Sequence, residues 1–392
     1  RWLLQISRRE TPHPSFSSAT TPPCPSPPRT TPHGPFPECP HSASRALTAP
    51  PPRLCPCAAD RSARCCGVAG ARARLSRRMT PLASTYLLWL LATWRDKRRL
   101  EAWGPQFLRR AVQRLWFDQL MRIAGVTGHL RIGLTPAQLR ALTPCVVTCS
   151  PHGAFAVGLL CFHANTLRED PLLRLIRAVP VGASVLFKIP LLRDLLLLLG
   201  VREATPATCD AILQSGRSVA LNPGGIWEQV HTSHRREVLH LQPGLGFIRL
   251  AMRHGVPLVP TYGFGENQLY ESYGEWTLPL RQWIADRFRV GIPLVRGRYC
   301  SPLPLPTKHT LVVGRPVPTG PPNLNPTKLE VEEVLGRWEE ALRELFNENK
   351  DLLPAEVARE GLTIAIRPGL HGREARRDAI KARENSQPRS KL

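Results

Sequence analysis

Short apolar runs alternate with longer helical patterns between residues 100 and 350, and this alternation constrains the fold more than any other feature. Apolar or β-branched runs that end at Pro or Gly predict strands at 146–149, 217–221, 256–262 and 310–313. Helical patterns lie at 154–163, 206–215, 245–254 and 328–350. The alternation predicts an α/β fold, with a layered sheet flanked by helices. Because ligands of such sheets bind beyond the carboxyl ends of strands, motifs at those ends are candidate functional sites.

The N-terminal tract differs in composition from this region. Residues 11–58 are crowded with Pro, Ser and Thr and hold few large apolar side chains, so they cannot form a core. The first Met is Met79. The tract 1–79 is therefore interpreted as a disordered leader, which is either a transit peptide or a stretch that is not translated. The dense proline favours the second interpretation.

Two very apolar segments bear on membrane association. An uncharged run at 82–94 contains three aromatic residues and precedes a basic cluster at 95–99. The run is shorter than the ~20 residues that cross a bilayer, but its aromatic and basic residues suit a lipid interface. We therefore predict a membrane-anchoring segment at 80–99, with an ordinary buried helix as the alternative. The second segment, 185–199, carries several charges, so we expect it to pack on the sheet or lie on the membrane.

The charge and the cysteines exclude some classes of protein. The formal net charge is +23, which attracts either nucleic acid or an anionic membrane. No RNA-recognition strand, zinc finger or basic zipper is present, so a nucleic-acid partner is not predicted. None of the 11 cysteines forms a C-x-x-C pair, and no metal site is predicted. The sequence lacks the G-x-S-x-G and G-x-x-x-x-G-K-[ST] motifs of serine esterases and nucleotide hydrolases. Residues 356–392 are interpreted as a basic, solvated tail.

The first candidate motif, Ser150-Pro151-His152-Gly153, follows the predicted strand at 146–149. Pro151 restricts Ser150 to extended backbone and ends the strand, and Gly153 removes bulk where a substrate can approach. Imidazole accepts a proton near neutral pH, so His152 is a candidate general base. The N–H groups at the start of the following helix can supply donors for an oxyanion. The alternative is a structural histidine.

Two further motifs follow predicted strands. The second contains Asn222, Pro223, Gly224, Gly225 and, three positions later, Glu228. Its glycines allow a tight turn whose amides can hold a phosphate of CoA or an oxyanion, and Glu228 can orient an imidazole. The third motif contains Phe264, Gly265, Glu266 and Asn267, and its carboxylate can pair with His152 if the strands are neighbours. The alternatives are plain turns with solvated carboxylates.

In their order along the chain, these motifs resemble the type-2 diacylglycerol acyltransferase family. The resemblance rests on Pro151-His152-Gly153, on Pro223-Gly224-Gly225-x-x-Glu228, and on the segments 246–251, 255–260, 264–267, 312–317 and 345–350. It spans residues 82–352. Single motifs in this set are common, whereas the ordered set is specific.

The resemblance implies a glycerolipid-acyltransferase-like domain at 100–355 in which His152 is the key histidine. It implies acyl-CoA as co-substrate with no other cofactor, diacylglycerol or a similar lipid alcohol as acceptor, and residence at the endoplasmic reticulum membrane or the lipid droplet surface. Monoacylglycerol or wax-alcohol acylation, and a non-catalytic lipid-surface protein that keeps the fold, are the alternatives. The sequence leaves open whether the chain forms a homo-oligomer.

Four positions depart from the family pattern. Ser150 stands where the family usually has His, and Gly244-Leu245 replace a basic pair. Val157 stands where related glycerolipid acyltransferases have an Asp, five positions after the histidine. The predicted orienting carboxylate is therefore Glu228 or Glu266. The first two changes bear on the acceptor and the rate.

Overall fold

The computed structural model describes residues 84–160 and 175–367, and within this part the side chains of 116–118 are left out. The predicted leader at 1–79 and residues 368–392 of the predicted tail lie outside the described residues. The chain divides into two compact units, and residues 84–91 belong to the first while the described residues from 92 onward belong to the second. Helix α1 spans residues 84–92, and all of it except residue 92 belongs to the first unit. It exposes Leu87, Leu88 and Leu91. Among the described residues, no helix combines the length and the apolar character needed to cross a bilayer.

Eleven strands are found in the described part of the chain. They are β1 (Thr127–Ile132), β2 (Val146–Ser150), β3 (Ala178–Gly182), β4 (Arg202–Glu203), β5 (Ser218–Leu221), β6 (Glu237–Leu241), β7 (Leu258–Phe264), β8 (Glu271–Ser272), β9 (Val295–Arg296), β10 (Lys308–Val313) and β11 (Leu362–Ile366). Seven of them form one sheet in the order β1-β10-β7-β2-β5-β3-β4. The sheet is mixed and mostly parallel, because only the β10–β7 pair is antiparallel.

Helices flank this sheet, as predicted. They are α2 (Gln106–Gln113), α3 (Met121–Ala124), α4 (Pro136–Ala141), α5 (157–160), α6 (Leu192–Leu198), α7 (Pro206–Gln214), α8 (Gly225–Val230), α9 (Gly246–His254), α10 (Leu278–Phe288), α11 (Lys328–Asn349) and α12 (Ala355–Glu360). The predicted strands and helices are confirmed with small shifts. The strand predicted at 256–262 runs two residues later, and the helix predicted at 154–163 begins at 157 and is described as far as residue 160.

The main core lies between the sheet and the pair α9–α11. Helix α11 begins at Thr327 with a capping box in which Thr327 and Glu330 satisfy each other's backbone N–H groups. Its buried stripe includes Trp338 and Phe346, and Trp338 packs edge-on against Phe247 of α9. The indole Nε1 of Trp338 donates to Oγ1 of Thr148 at 2.9 Å, which fixes the helix on strand β2.

A second core contains residues of the apolar segment 185–199, which was predicted to pack on the sheet or lie on the membrane. Residues 196–199 are buried, so the leucine run fills a core. Arg193 is also buried, and it donates to the backbone oxygen and hydroxyl of Thr93 and to Asp194. These partners pair both terminal nitrogens of the guanidinium inside the protein, while the buried Nε has no hydrogen-bond partner among the described residues.

Two parallel strands, β6 and β11, form a separate small sheet. The segment predicted to be a solvated tail from residue 356 therefore begins with structured chain, namely α12 and β11. In the main sheet, the carboxyl ends of β2, β5 and β7 lie at one edge because these strands are parallel. Strand β10 is antiparallel to β7, so its amino end lies at the same edge. All three predicted motifs and the start of β10 meet there.

Candidate active site

His152 lies just beyond the end of β2, as predicted. Its ring is half-buried, and the neighbouring Phe155 is exposed. Nδ1 lies 3.0 Å from the carbonyl oxygen of Gly153. This contact requires the proton on Nδ1, so Nε2 is the proton acceptor. Burial lowers the pKa of His152 below its ordinary value, partly offset by the Gly153 carbonyl and the charge of Glu266. The imidazole is therefore neutral at pH 7, as a general base requires.

Glu228 contacts the backbone of His152 and not its ring. From α8, its Oε1 accepts a hydrogen bond from the N–H of His152 at 3.1 Å. Its Oε2 is buried and has no hydrogen-bond partner among the described residues. Burial raises the pKa of Glu228 to about 8, although the N–H groups of His152 and Gly224 partly oppose the shift. The prediction that Glu228 orients the imidazole is thus corrected, since this carboxyl group holds the catalytic turn through its main chain.

Glu266 is the buried partner of a residue that the sequence analysis missed. Its Oε2 lies 2.9 Å from Nε2 of His309, and both side chains are fully buried. Among the described residues it forms no ion pair with His152, so the predicted Glu266–His152 pair is corrected. The reason is topological, because His309 enters the site from the amino end of β10. A single histidine within a strand carries no sequence signal of this role.

The N–H groups of the first turn of α5 are already occupied. Val157 donates to Oε1 of Glu266 at 2.8 Å, and Gly158 donates to Oε2 at 2.7 Å. The positive end of a helix stabilises such a carboxylate. These two groups are therefore not the free oxyanion donors that the sequence analysis expected.

Gly153 makes room for Glu266 and not for a substrate. Its φ is +60°, a conformation that favours glycine. A Cβ at this position would lie 2.7 Å from both Cγ and Oε1 of Glu266. The role predicted for Gly153 is corrected accordingly. Ser150 and Pro151 are also buried, so they do not line an open surface.

The turn after β5 is tied to β2. Asn222 donates from Nδ2 to the carbonyl oxygen of Cys149 at 2.8 Å, and Pro223 is buried. A Cβ on Gly224 would overlap both Glu228 and the carbonyl oxygen of His240. Gly225 has φ +55° and open space around it, the nearest atom to a Cβ there being 3.9 Å away. Of the predicted binding residues in this turn, Gly225 is therefore the one with room for a ligand beside it.

The third motif serves mainly to hold the core together. Phe264 is fully buried between Tyr262 and Phe346. Asn267 donates to Oε2 of Glu237 at 2.8 Å. A Cβ on Gly265 would overlap the carbonyl oxygen of Lys308, so this glycine allows β7 and β10 to approach. The predicted ligand contacts of Phe264, Gly265 and Asn267 are corrected, because each of these residues is buried against the protein.

Glu237 is a second buried carboxyl group near this motif. It accepts hydrogen bonds from the Tyr262 hydroxyl at 2.7 Å, from Asn267, and from Gln268 Nε2 at 2.9 Å. Burial raises its pKa, and these donors partly oppose the shift. Within the described part of the chain, no group of three or more His, Cys, Asp or Glu side chains has the arrangement of a metal site.

Comparison with known proteins identifies the family of the chain. The sequence model of the family described as "Diacylglycerol acyltransferase" matches residues 75–360. Human 2-acylglycerol O-acyltransferase 3 is 30% identical over 285 residues, which cover 69% of this chain and 81% of the relative. Diacylglycerol O-acyltransferase 2 of Dictyostelium discoideum is 33% identical over 51% of this chain and 64% of the relative. The rat diacylglycerol O-acyltransferase 2 is 27% identical over 69% of this chain and 70% of the relative.

This protein belongs to the diacylglycerol acyltransferase family, and the resemblance drawn from the ordered motifs is confirmed. It is accordingly an acyltransferase of glycerolipid synthesis. Among solved structures, a similarity is found to the 1-acyl-sn-glycerophosphate acyltransferase of Thermotoga maritima, with a TM-score of 0.36 and 14% identity over 67% of this chain and 96% of that one.

Proposed function

We propose that the protein transfers the acyl group of acyl-CoA to the free hydroxyl of diacylglycerol, forming triacylglycerol, with His152 as general base. The observation that carries this proposal is the state of the imidazole. Its ring is half-buried at the carboxyl end of β2, its pKa is lowered, and its Nε2 is left to accept a proton. Family membership supports the donor and the class of acceptor.

In the proposed reaction, Nε2 of His152 removes the proton from the acceptor hydroxyl as the oxygen attacks the thioester carbonyl. The C–S bond then breaks, and the CoA thiolate leaves with the proton from the imidazolium. Glu228 fixes the backbone of the histidine throughout. The charge of Glu266 raises the pKa of His152, and so it favours the imidazolium that forms in the transition state.

The identity of the acceptor and the cellular location are more specific proposals than acyl transfer itself. The relatives include a 2-acylglycerol O-acyltransferase and several diacylglycerol O-acyltransferases at similar identity. Monoacylglycerol is therefore the first alternative acceptor, and a wax alcohol is the second alternative that the sequence resemblance implies. We place the protein at the endoplasmic reticulum membrane or the lipid droplet surface because its substrates are lipids and because α1 exposes leucine and tryptophan side chains.

The test is the His152→Ala variant, assayed in microsomes with radiolabelled acyl-CoA and with each acceptor separately. Loss of the general base should lower ester formation by about 10²–10⁴-fold while membrane association stays unchanged. A matched control is His254→Gln. His254 pairs with Asp210 at 2.9 Å shortly before the amino end of β7, at the opposite edge of the sheet, so activity should persist. Full activity of His152→Ala would refute the base role.

A second candidate is a non-catalytic lipid-surface protein, and one observation favours it. Ser150 replaces the usual first histidine of the motif, and its buried Oγ has no hydrogen-bond partner among the described residues. If the unmodified protein forms no ester with any acceptor but still binds membranes, this candidate is preferred. Formation of triacylglycerol above the other esters supports the first proposal.

A further inference from the structure

The exposed face of α10 is its apolar face. Trp276 lies in the turn just before α10, and Leu280 and Trp283 of α10 follow it at helical spacing. Their exposed fractions are 80%, 51% and 59%. On the opposite side, Thr277, Arg281 and Ala285 are buried. A helix on a water-facing surface has the reverse arrangement, with its apolar stripe toward the core.

Polar contacts fix the helix in this orientation. The buried Arg281 donates from Nη1 to the carbonyl oxygen of Val230 at 2.7 Å. Gln282 Nε2 lies 2.9 Å from Nε2 of His231. Both partners lie at the end of α8. If α10 rotated to bury its tryptophans, the Arg281 guanidinium would lose this acceptor, so the apolar stripe stays exposed.

The surface around the stripe combines aromatic and basic side chains. Its apolar members, here called the α10 surface, are Tyr273, Trp276, Leu280, Trp283, Phe288 and Ile292. The guanidinium of Arg287 lies 5.5 Å from the Phe288 ring centroid, and Arg289 is also exposed. The nearby acid Asp286 is already paired with Arg367. Tryptophan, tyrosine and arginine together are typical of side chains at a lipid–water interface.

We propose that the α10 surface docks on a bilayer that contains anionic phospholipid. The aromatic stripe would enter the headgroup region while Arg287 and Arg289 meet lipid phosphates. A second copy of the chain is a poorer occupant, because the exposed Arg287 and Arg289 of two such surfaces would repel each other. The same two arginines attract an anionic surface. The proposal rests on the proposed function in that a lipid acceptor would be delivered from this bilayer.

The docking surface is one helix away from the catalytic turn. Helix α10 packs on α8 through Arg281 and Gln282. Helix α8 follows the turn at Gly224 and carries Glu228, which holds the backbone of His152. Docking through α10 would therefore bring the bilayer to the helix that supports the active site, which is where an acceptor dissolved in lipid must arrive.

The test is hydrogen–deuterium exchange of the full chain with phosphatidylcholine vesicles, with and without phosphatidylserine. We expect slower exchange in residues 276–289 when anionic vesicles are present. The double variant Trp276→Glu/Trp283→Glu should lose this protection and bind vesicles about tenfold less. The matched control is Leu324→Glu/Leu329→Glu, since these leucines are 75% and 76% exposed near the start of α11. The control should bind as the unmodified chain does.

A charge variant tests the anionic component. Arg287→Glu/Arg289→Glu should weaken binding to phosphatidylserine vesicles by about fivefold for each basic residue lost. The control is Arg140→Glu, an exposed residue of α4, which should have little effect. The proposal is overturned if the chain floats with vesicles while 276–289 exchanges unchanged. It is also overturned if protection of 276–289 appears without vesicles as protein concentration rises, which would indicate self-association.

Activity separates this proposal from the proposed function. The tryptophan double variant should keep its activity on a short-chain diacylglycerol dispersed in water and lose most of it on vesicle-embedded diacylglycerol. Equal loss on both acceptors would overturn the docking role. If neither the unmodified chain nor the double variant forms ester, the proposed function fails. The docking proposal still stands in that case if anionic vesicles protect residues 276–289 of the unmodified chain.

Discussion

The buried carboxyl group of Glu228 supports the catalytic turn in its neutral form. Burial raises its pKa to about 8, and the nearby Glu237 and Glu266 add to the shift. At pH 7 it is therefore mostly protonated, and its Oε1 still accepts the N–H of His152. A neutral glutamine has the same shape and keeps this acceptor, whereas alanine leaves a buried N–H group without a partner.

We expect Glu228→Gln to keep most of the activity at pH 7 and to change the pH dependence of stability. The pKa of Glu228 is raised in the folded state, so its contribution is fully present below the ordinary value of 4.5 and is lost as pH rises through about 8. The unmodified protein should lose stability across this window, and the glutamine variant should lose less. Thermal unfolding between the two pH limits measures the difference.

The alanine variant is the control for this comparison. Glu228→Ala should lower activity at every pH, because the N–H of His152 then lacks its acceptor. If Glu228→Gln shows the same decline of stability with pH as the unmodified protein, the raised pKa of Glu228 is not its cause.

At the residue scale, the residues of the site could be predicted from the sequence better than their hydrogen-bond partners. His152 could be predicted because its motif is local and lies at the end of a strand. Glu228 and Glu266 were found as residues, but their hydrogen bonds depend on which strands are neighbours in the sheet. His309 was missed for the same reason, since it reaches the site only because β10 runs antiparallel to β7.

Among the elements, α11 connects the core to the catalytic strand. Its capping box fixes where it begins, and its buried stripe faces the sheet. Trp338 is fully buried and donates to Thr148, two residues before the end of β2. The position of His152 therefore depends on how firmly this helix holds β2 in the sheet.

We expect Trp338→Phe to destabilise the protein by about 1 kcal/mol, because it removes the hydrogen bond and keeps most of the packing. Trp338→Ala should cost about 3–5 kcal/mol through the cavity it leaves. Denaturant unfolding measures both. The control is Leu329→Ala on the exposed side of α11, which should cost under about 0.5 kcal/mol. Equal effects of Trp338→Ala and Leu329→Ala would contradict the role of this helix.

Length did not decide which elements could be predicted from the sequence, because the four-residue β5 was predicted and the six-residue β1 was not. The strands β2, β5 and β10 each contain a run of apolar or β-branched residues and are buried along nearly their whole length, as expected for strands covered on both faces. Strand β6 mixes Glu237 and His240 with apolar residues, and its partner β11 lies more than 100 residues away in the chain. Neither strand had a local signal that identified the other.

In the whole molecule, the last described segment, β11 with Arg367, packs near the turn and helix of the active site. Strand β11 pairs with β6 along its full length. Just beyond β6, Gln242 donates from Nε2 to the carbonyl oxygen of Gly224 at 2.6 Å. The guanidinium of Arg367 lies 3.9 Å from the Trp227 ring centroid in α8. The small sheet therefore braces the turn and the helix that hold His152.

We expect a chain that ends at Gly361 to be less stable than one that ends at Pro368, and less active. The shorter chain loses β11 and the Arg367–Trp227 contact, which leaves β6 without its parallel partner. Loss of this strand's hydrogen bonds should cost about 2–4 kcal/mol. The chain ending at Pro368 keeps both features, so it should match the full chain. Thermal unfolding and triacylglycerol formation on the three chains measure the effect. If the chain ending at Gly361 equals the other two in both assays, the small sheet does not support the site.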